Sequence, residues 1–245
     1  MRSALRRISS CLLAGLLIAP LMVQAGVQIA GTRFIYPAAD REINVRLTNT
    51  ANKPALVQAW LDAGDPSVQP GAEQLPFVVL PPLVRVEANK GQTLRIVRVG
   101  GELPKDQESV FWLNVLEVPP RAEGTADRNV MQLAFRTRLK LFYRPEGLQG
   151  KLQDAVDKLS WTVVRAGAGY ALQARNDSDF HVSFAHVALN ADKKYSLDSG
   201  GMVAPHATQD FPLPGLSGPV SGGKVQVNWL DDFGASRERA YELKP

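Results

Sequence analysis

From residue 26 onward the apolar residues of this 245-residue chain alternate with polar ones in short runs, and that spacing constrains the fold more than any other feature. Successive side chains of a strand point to opposite faces, so alternation marks a segment with one face buried. Such runs occupy residues 42–47 (EINVRL), 55–61 (ALVQAWL), 92–99 (QTLRIVRV), 110–118 (VFWLNVLEV) and, at greater length, 130–143 (VMQLAFRTRLKLFY). The 17 prolines and 20 glycines fall mostly between runs, where they act as turn punctuation. Many short strands separated by turn signals predict an all-β sandwich or barrel.

The segment RPEGLQG at 144–150 ends the longest run with Pro and Gly. A second strand-rich block follows it. Residues 161–164 and 170–175 flank Gly167-Ala168-Gly169 as a hairpin, and 180–189, 225–230 and 239–243 read as further strands. Residues 155–159 read as a short helical turn. The chain therefore divides into a first domain at 26–144, a linker at 145–149 and a second domain at 150–245. About 100 residues in each suffice for a core of its own.

Residues 1–25 read as an export signal. Arg2, Arg6 and Arg7 precede the apolar run CLLAGLLIAPLMV, and Val23-Gln24-Ala25 places small residues around a cut after Ala25. The run is short for a membrane span, which needs about 20 apolar residues, although an uncleaved anchor is the rival reading. Without these three arginines the balance is 25 basic to 24 acidic residues. That near-neutrality gives no support to a nucleic-acid partner. The only cysteine, Cys11, leaves with the signal, so no disulfide supports the exported chain.

Catalytic and metal motifs are missing from the sequence. His181 and His186 stand five apart on a predicted strand, which puts them on opposite faces, and no HExxH or cysteine ligand accompanies them. No G-x-S-x-G elbow or phosphate-binding loop occurs. Catalytic residues, a metal and a cofactor are accordingly not expected. Trp60, Trp112, Trp161 and Trp229 fall within strand patterns and read as core aromatics rather than a sugar-binding platform. One strand invites two readings. Met131, Leu133 and Phe135 alternate with polar or small residues, and Arg136, Arg138 and Lys140 follow. It is either a half-buried strand with solvated cations or an exposed edge whose apolar side chains enter a partner. Exposed edges recruit other chains and are normally blunted.

Several segments together resemble the periplasmic pilus chaperones of the PapD-like family. Thr137 to Pro145 (TRLKLFYRP) is similar to that family's T-K-I-K-L-F-Y-R-P segment, and Leu103 to Asn114 (LPKDQESVFWLN) to its L-P-x-D-x-E-S-x-F-x-x-N signature. Val118-Pro119-Pro120, Gly31 to Tyr36 (GTRFIY), Val57 to Trp60 (VQAW), Pro81 to Arg85 (PPLVR) and Leu230 to Gly234 (LDDFG) match further family segments. The resemblance implies two immunoglobulin-like β-sandwich domains set at an angle with a cleft between them. It implies pilin subunits as clients, held by donation of a first-domain strand (129–141), and an outer-membrane usher that receives them. A self-capping homodimer is a possible resting state, and the mature protein inserts into no membrane. Residue by residue, Arg33 and Lys140 fall on the positions that bind the subunit's C-terminal carboxylate, and Met131, Leu133 and Phe135 on the groove-filling positions. Glu108, Arg144 and Asp232 fall on an interdomain salt bridge. The short connection from Pro120 to Val130 and the lack of a cysteine pair are similar to the short-loop branch. Strict alternation sets Lys140 on the face opposite Met131, Leu133 and Phe135, so a bulge, a twist or side-chain reach is needed for both to meet one partner.

Overall fold

The computed structural model describes residues 26–120, 131–167, 169–192, 194–220 and 222–243, and it is almost entirely β. The first domain comprises β1 (Val27–Ile29), β2 (Arg33–Pro37), β3 (Glu42–Asn49), β4 (Ala55–Asp62), β5 (Phe77–Leu80), β6 (Leu83–Val86), β7 (Gly91–Arg98), β8 (Ser109–Val118) and β9 (Phe135–Arg144). They form two sheets in the orders β1-β3-β7-β5 and β2-β9-β8-β4-β6. The inner faces bury Val45, Leu47, Val57, Leu94, Ile96, Leu113 and Leu141, the alternate residues of the predicted runs. Tyr36, Phe77, Phe111 and Tyr143 pack edge to face or tilted, with ring centroids 5.0–6.1 Å apart. The Tyr36 hydroxyl donates to the Arg41 carbonyl (2.7 Å) and accepts from the Arg98 N–H (3.1 Å), so the buried phenol is satisfied at both capacities.

The first strand is split between the sheets. β1 pairs antiparallel with β3, and a few residues later β2 pairs parallel with β9. The crossover turns at Gly31, whose φ of 125° suits glycine and whose N–H bonds the Ile29 carbonyl (3.0 Å). This switch brings Arg33 directly opposite Lys140.

The second domain opens with a one-turn helix, α1 (Leu152–Asp157). β10 (Ser160–Ala166), β11 (Gly169–Asn176), β12 (Val182–Asn190), β13 (Lys194–Leu197), β14 (Gly201–Val203), β15 (Ala207–Pro212), β16 (Lys224–Leu230) and β17 (Ser236–Glu242) follow. Its sheets run β10-β11-β15 and β13-β12-β16-β17, with β14 beside β12. Trp161, Phe184, Phe211 and Tyr241 cluster in the core at 5.6–5.9 Å. The Tyr241 hydroxyl donates to the Val156 carbonyl (2.6 Å) and ties α1 to the sandwich.

Three expectations need correction. The helical turn starts three residues before the predicted one, because Leu152, Ala155 and Val156 form the buried face and the Asp154 carboxylate accepts the Lys151 N–H (2.8 Å) at its start. The long strand begins at Phe135, not at 130: Met131 to Ala134 pair with no strand among the described residues, and residues 129 and 130 lie outside that set. Trp112 is not a core residue; it lies on the outer face of β8, where cations cover it.

Candidate functional site

β9 organises the site. Its register with β8 runs unbroken from Tyr143 opposite Ser109 to Phe135 opposite Glu117, with no bulge. Leu139, Leu141 and Tyr143 therefore face the first-domain core, and Arg136, Arg138, Lys140, Phe142 and Arg144 share the opposite, outer face. Met131, Leu133 and Phe135 carry the core-facing parity beyond the sandwich. They remain 87%, 56% and 63% exposed, among the most exposed large apolar residues described. β2 pairs with β9 only from Lys140 to Arg144. On that side the backbone of Phe135 to Leu139 has no strand partner among the described residues.

The cations on the outer face fall into two kinds. Arg136 lies over the Trp60 ring at 4.8 Å and Arg138 over Trp112 at 4.0 Å, the geometry of cation–π contact. Both also meet Asp62, a fully buried carboxylate. Burial alone would raise the Asp62 carboxyl; hydrogen bonds from Arg138, from the Asn114 amide (2.7 Å) and from the Gly64 N–H (2.8 Å) outweigh it and hold the group below the ordinary range. Asp62 thus pairs closely with Arg138 and at longer range (3.9 Å) with Arg136, and both guanidinium groups cover the two indoles that a sugar platform would need bare.

Arg33 and Lys140 are of the other kind. Among the described residues neither makes an ion pair. Arg33 Nη1 donates to the Leu230 carbonyl (3.1 Å), while its buried Nε has no partner. The guanidinium lies 5.8 Å from the Phe142 ring and is only 8% exposed. Burial pushes its pKa down, against the pull of Asp232, Asp231 and Glu108. Lys140 Nζ donates to Ser183 Oγ (3.3 Å) and lies 5.4 Å from the Trp112 ring. Burial first, and the neighbouring Arg33 charge second, push its pKa down from 10.5 to about 8. Two desolvated like charges side by side, one with an orphaned donor, have the chemistry that suits an anion.

The second domain closes over this corner. Arg144, the last residue of β9, reaches Glu108 through Nε (2.7 Å) and grips Asp232 with both terminal nitrogens (2.8 and 2.9 Å). Burial opposes the Arg144 charge, but the two carboxylates more than offset it and raise its pKa. The other Glu108 oxygen accepts the His181 N–H (2.8 Å), and the Glu108 N–H donates to the Asp179 carbonyl (2.9 Å). Phe142 is buried on the outer face because His181 packs on it at 5.6 Å. Gly234, with φ of 82°, sits so close to Thr32 that an added Cβ would lie 2.1 Å from its hydroxyl. Sequence reasoning placed the salt-bridge residues but missed His181, Ser183 and the Leu230 carbonyl; nothing in the local pattern around 181–183 points across a domain boundary. The three histidines do not converge: His186 meets Asp198 (2.6 Å) and His206 meets Asp179 (2.9 Å). Among the described residues there is no group of three or more potential metal ligands.

Paired β-sandwiches joined by an ion cluster, with a strand edge and two cations that are unpaired among the described residues, define a protein-binding module of the two-domain sandwich class. The chain belongs to the PapD family of pilus-assembly chaperones: the family model for the pili and flagellar-assembly chaperone PapD N-terminal domain matches residues 26–149, and that for the pili assembly chaperone PapD C-terminal domain matches 154–241. Its function is therefore that of a chaperone and not of an enzyme. It is 43% identical over 218 residues to the probable fimbrial chaperone YadV of Escherichia coli (strain K12), covering 87% of this chain and 88% of that one. The crystal structure of the YadV chaperone superposes with a TM-score of 0.76 at 40% identity, over 89% of this chain and all of that one. The Salmonella enterica SafB chaperone, solved in complex with the SafA pilin, superposes with a TM-score of 0.74 at 31% identity, over 89% and 96% of the two chains.

Proposed function

We propose that this chaperone holds pilus subunits in the periplasm by lending them β9 and the segment before it, then passes them to an outer-membrane usher. The observation that carries this reading is where the open edge of β9 stops. β2 takes over that edge at Arg33, opposite Lys140. A strand laid along Phe135 to Leu139 must end where β2 begins. If it runs parallel to β9, as β2 does, the end that meets Arg33 and Lys140 is its C-terminal carboxylate. The guanidinium offers a planar fork and the ammonium a point charge, and both lose their unpaired state on binding.

The opposite facing of Lys140 and the apolar trio then presents no conflict. The carboxylate is met at the end of the added strand, whereas Met131, Leu133 and Phe135 enter the client from one side of the donated strand. Each is exposed enough to contribute about 1.5–3 kcal/mol if fully buried. Each ladder hydrogen bond adds about 0.5–1.5 kcal/mol net, and ordering of the segment offsets part of both. This is β-augmentation with a terminal anchor that fixes register. The pilin complex of SafB supports the choice of client. The same edge would let two free copies cap each other. Residues 1–25, outside the described set, would direct export and leave after Ala25, so the mature chain begins at Gly26.

The test is co-expression with a pilin subunit. Arg33→Ala and Lys140→Ala are expected to abolish subunit accumulation in the periplasm while the chaperone itself remains folded and abundant. Normal subunit levels with either variant would overturn the mechanism.

A further inference from the structure

We propose that Lys140, when no client occupies the site, takes up carbon dioxide as a carbamate held by Arg33 and Ser183. The case rests on what surrounds the amine. Arg33 stands opposite it across the parallel ladder, and the buried Arg33 Nε lacks an acceptor. Ser183 is 1% exposed, and its hydroxyl already lies 3.3 Å from Nζ. Among the described residues no carboxylate pairs with either cation: of the three acids whose charge acts on Arg33, Asp232 and Glu108 are engaged by Arg144 and Asp231 by Arg237. The site thus has an anion's donors in place and a nitrogen from which an anion can be built.

The step is balanced without any further reactant. The lone pair of the neutral amine attacks the carbon of carbon dioxide, a C–N bond forms, and one C=O π pair moves onto oxygen. The proton lost from nitrogen passes to water or bicarbonate. The product replaces a buried cation with a planar anion beside Arg33, so a like-charge pair becomes an opposite-charge pair. The carbamate oxygens can accept from Arg33 Nε, and the Ser183 hydroxyl, free to rotate, turns from acceptor to donor. Depression of the Lys140 pKa to about 8 supplies neutral amine near physiological pH. Formation of the carbamate needs no client. Its consequence does rest on the reading above: the modified lysine occupies the place of a client's terminal carboxylate, so bicarbonate-rich medium should weaken capture several-fold.

The full-length exported chaperone, equilibrated with isotope-labelled bicarbonate near pH 8, is examined by carbon NMR and by alkylative trapping followed by peptide mass spectrometry. Two carbamate resonances are expected, one from the α-amine and one from Lys140. The second should vanish in Lys140→Arg and weaken in Ser183→Ala, with the adduct mapped to Lys140. A wild-type protein showing only the α-amine signal, a second signal that persists in Lys140→Arg, or bicarbonate bound without a trapped adduct would each overturn the proposal. A pilin C-terminal peptide separates the two readings. Displacement of the carbamate by the peptide supports both. A Lys140 carbamate that the peptide leaves untouched sustains the modification while sinking carboxylate capture at this site.

Discussion

Lys140 sits where burial and a like charge both work against its ammonium, and that has consequences with a definite sign. Below about pH 8 the folded and unfolded chains both carry the proton, and the full destabilisation is present. Between about 8 and the ordinary 10.5 the unfolded chain binds more protons, so stability of the client-free chaperone should rise with pH. Binding of a carboxylate has the opposite trend, since it needs the charged amine. The association constant of a pilin C-terminal peptide is expected to be flat below neutrality and to fall above pH 8, approaching tenfold per unit (~1.4 kcal/mol). Calorimetric titration across that range would measure it. Lys140→Arg should remove the fall, because a guanidinium stays charged throughout. An unchanged fall in that variant would assign the titration to another group.

At the scale of the element, β9 changes character along its length. From Lys140 to Arg144 it is a central strand between β2 and β8; from Phe135 to Leu139 it has β8 alone among the described residues. An exposed apolar edge of this kind is an aggregation hazard unless it is used. Leu133→Glu should leave thermal stability within about 0.5 kcal/mol, as a surface substitution away from the core does. It should nevertheless weaken client capture by at least tenfold, because a charge would then be carried into an apolar groove. Co-purification yield and a melting curve, measured together, decide the matter. Unimpaired capture would remove this segment from the donated strand. The alternation of 131 to 143 was legible as a strand, but its true start was not. The same period-two pattern continues through Met131 and Leu133, whereas pairing stops at Glu117 opposite Phe135 because β8 ends one residue later at Val118.

For the whole molecule, the junction between the sandwiches is where the binding corner acquires its charge state. Arg144 belongs to the first domain and Asp232 to the second, with Glu108 buried between Arg144 and the His181 backbone. Removing one partner of a buried pair costs about 3–5 kcal/mol, because the other charge is left uncompensated. The exposed half with Asp232 is worth less. Arg144→Ala should therefore lower the melting temperature and separate the unfolding of the two domains in scanning calorimetry. It should also reduce capture although Arg33 and Lys140 are intact. One unshifted transition would show that the ion cluster does not couple the domains.

The local pattern by itself determined that this chain is all β, where most strands run, and most of the residues that face a core, because a period of two is written residue by residue. Family segments marked Arg33, Lys140 and the Glu108, Arg144 and Asp232 set. Only the tertiary structure decided that Phe142 is buried and Trp112 is not, that Arg33 stands opposite Lys140, and that Ser183 and the Leu230 carbonyl complete their corner. Those outcomes depend on which surface a second domain covers and on a parallel pairing made across more than 100 residues of chain. Desolvation, which depresses the pKa of both cations, arises from that packing and leaves no mark on the spacing of the residues it acts upon.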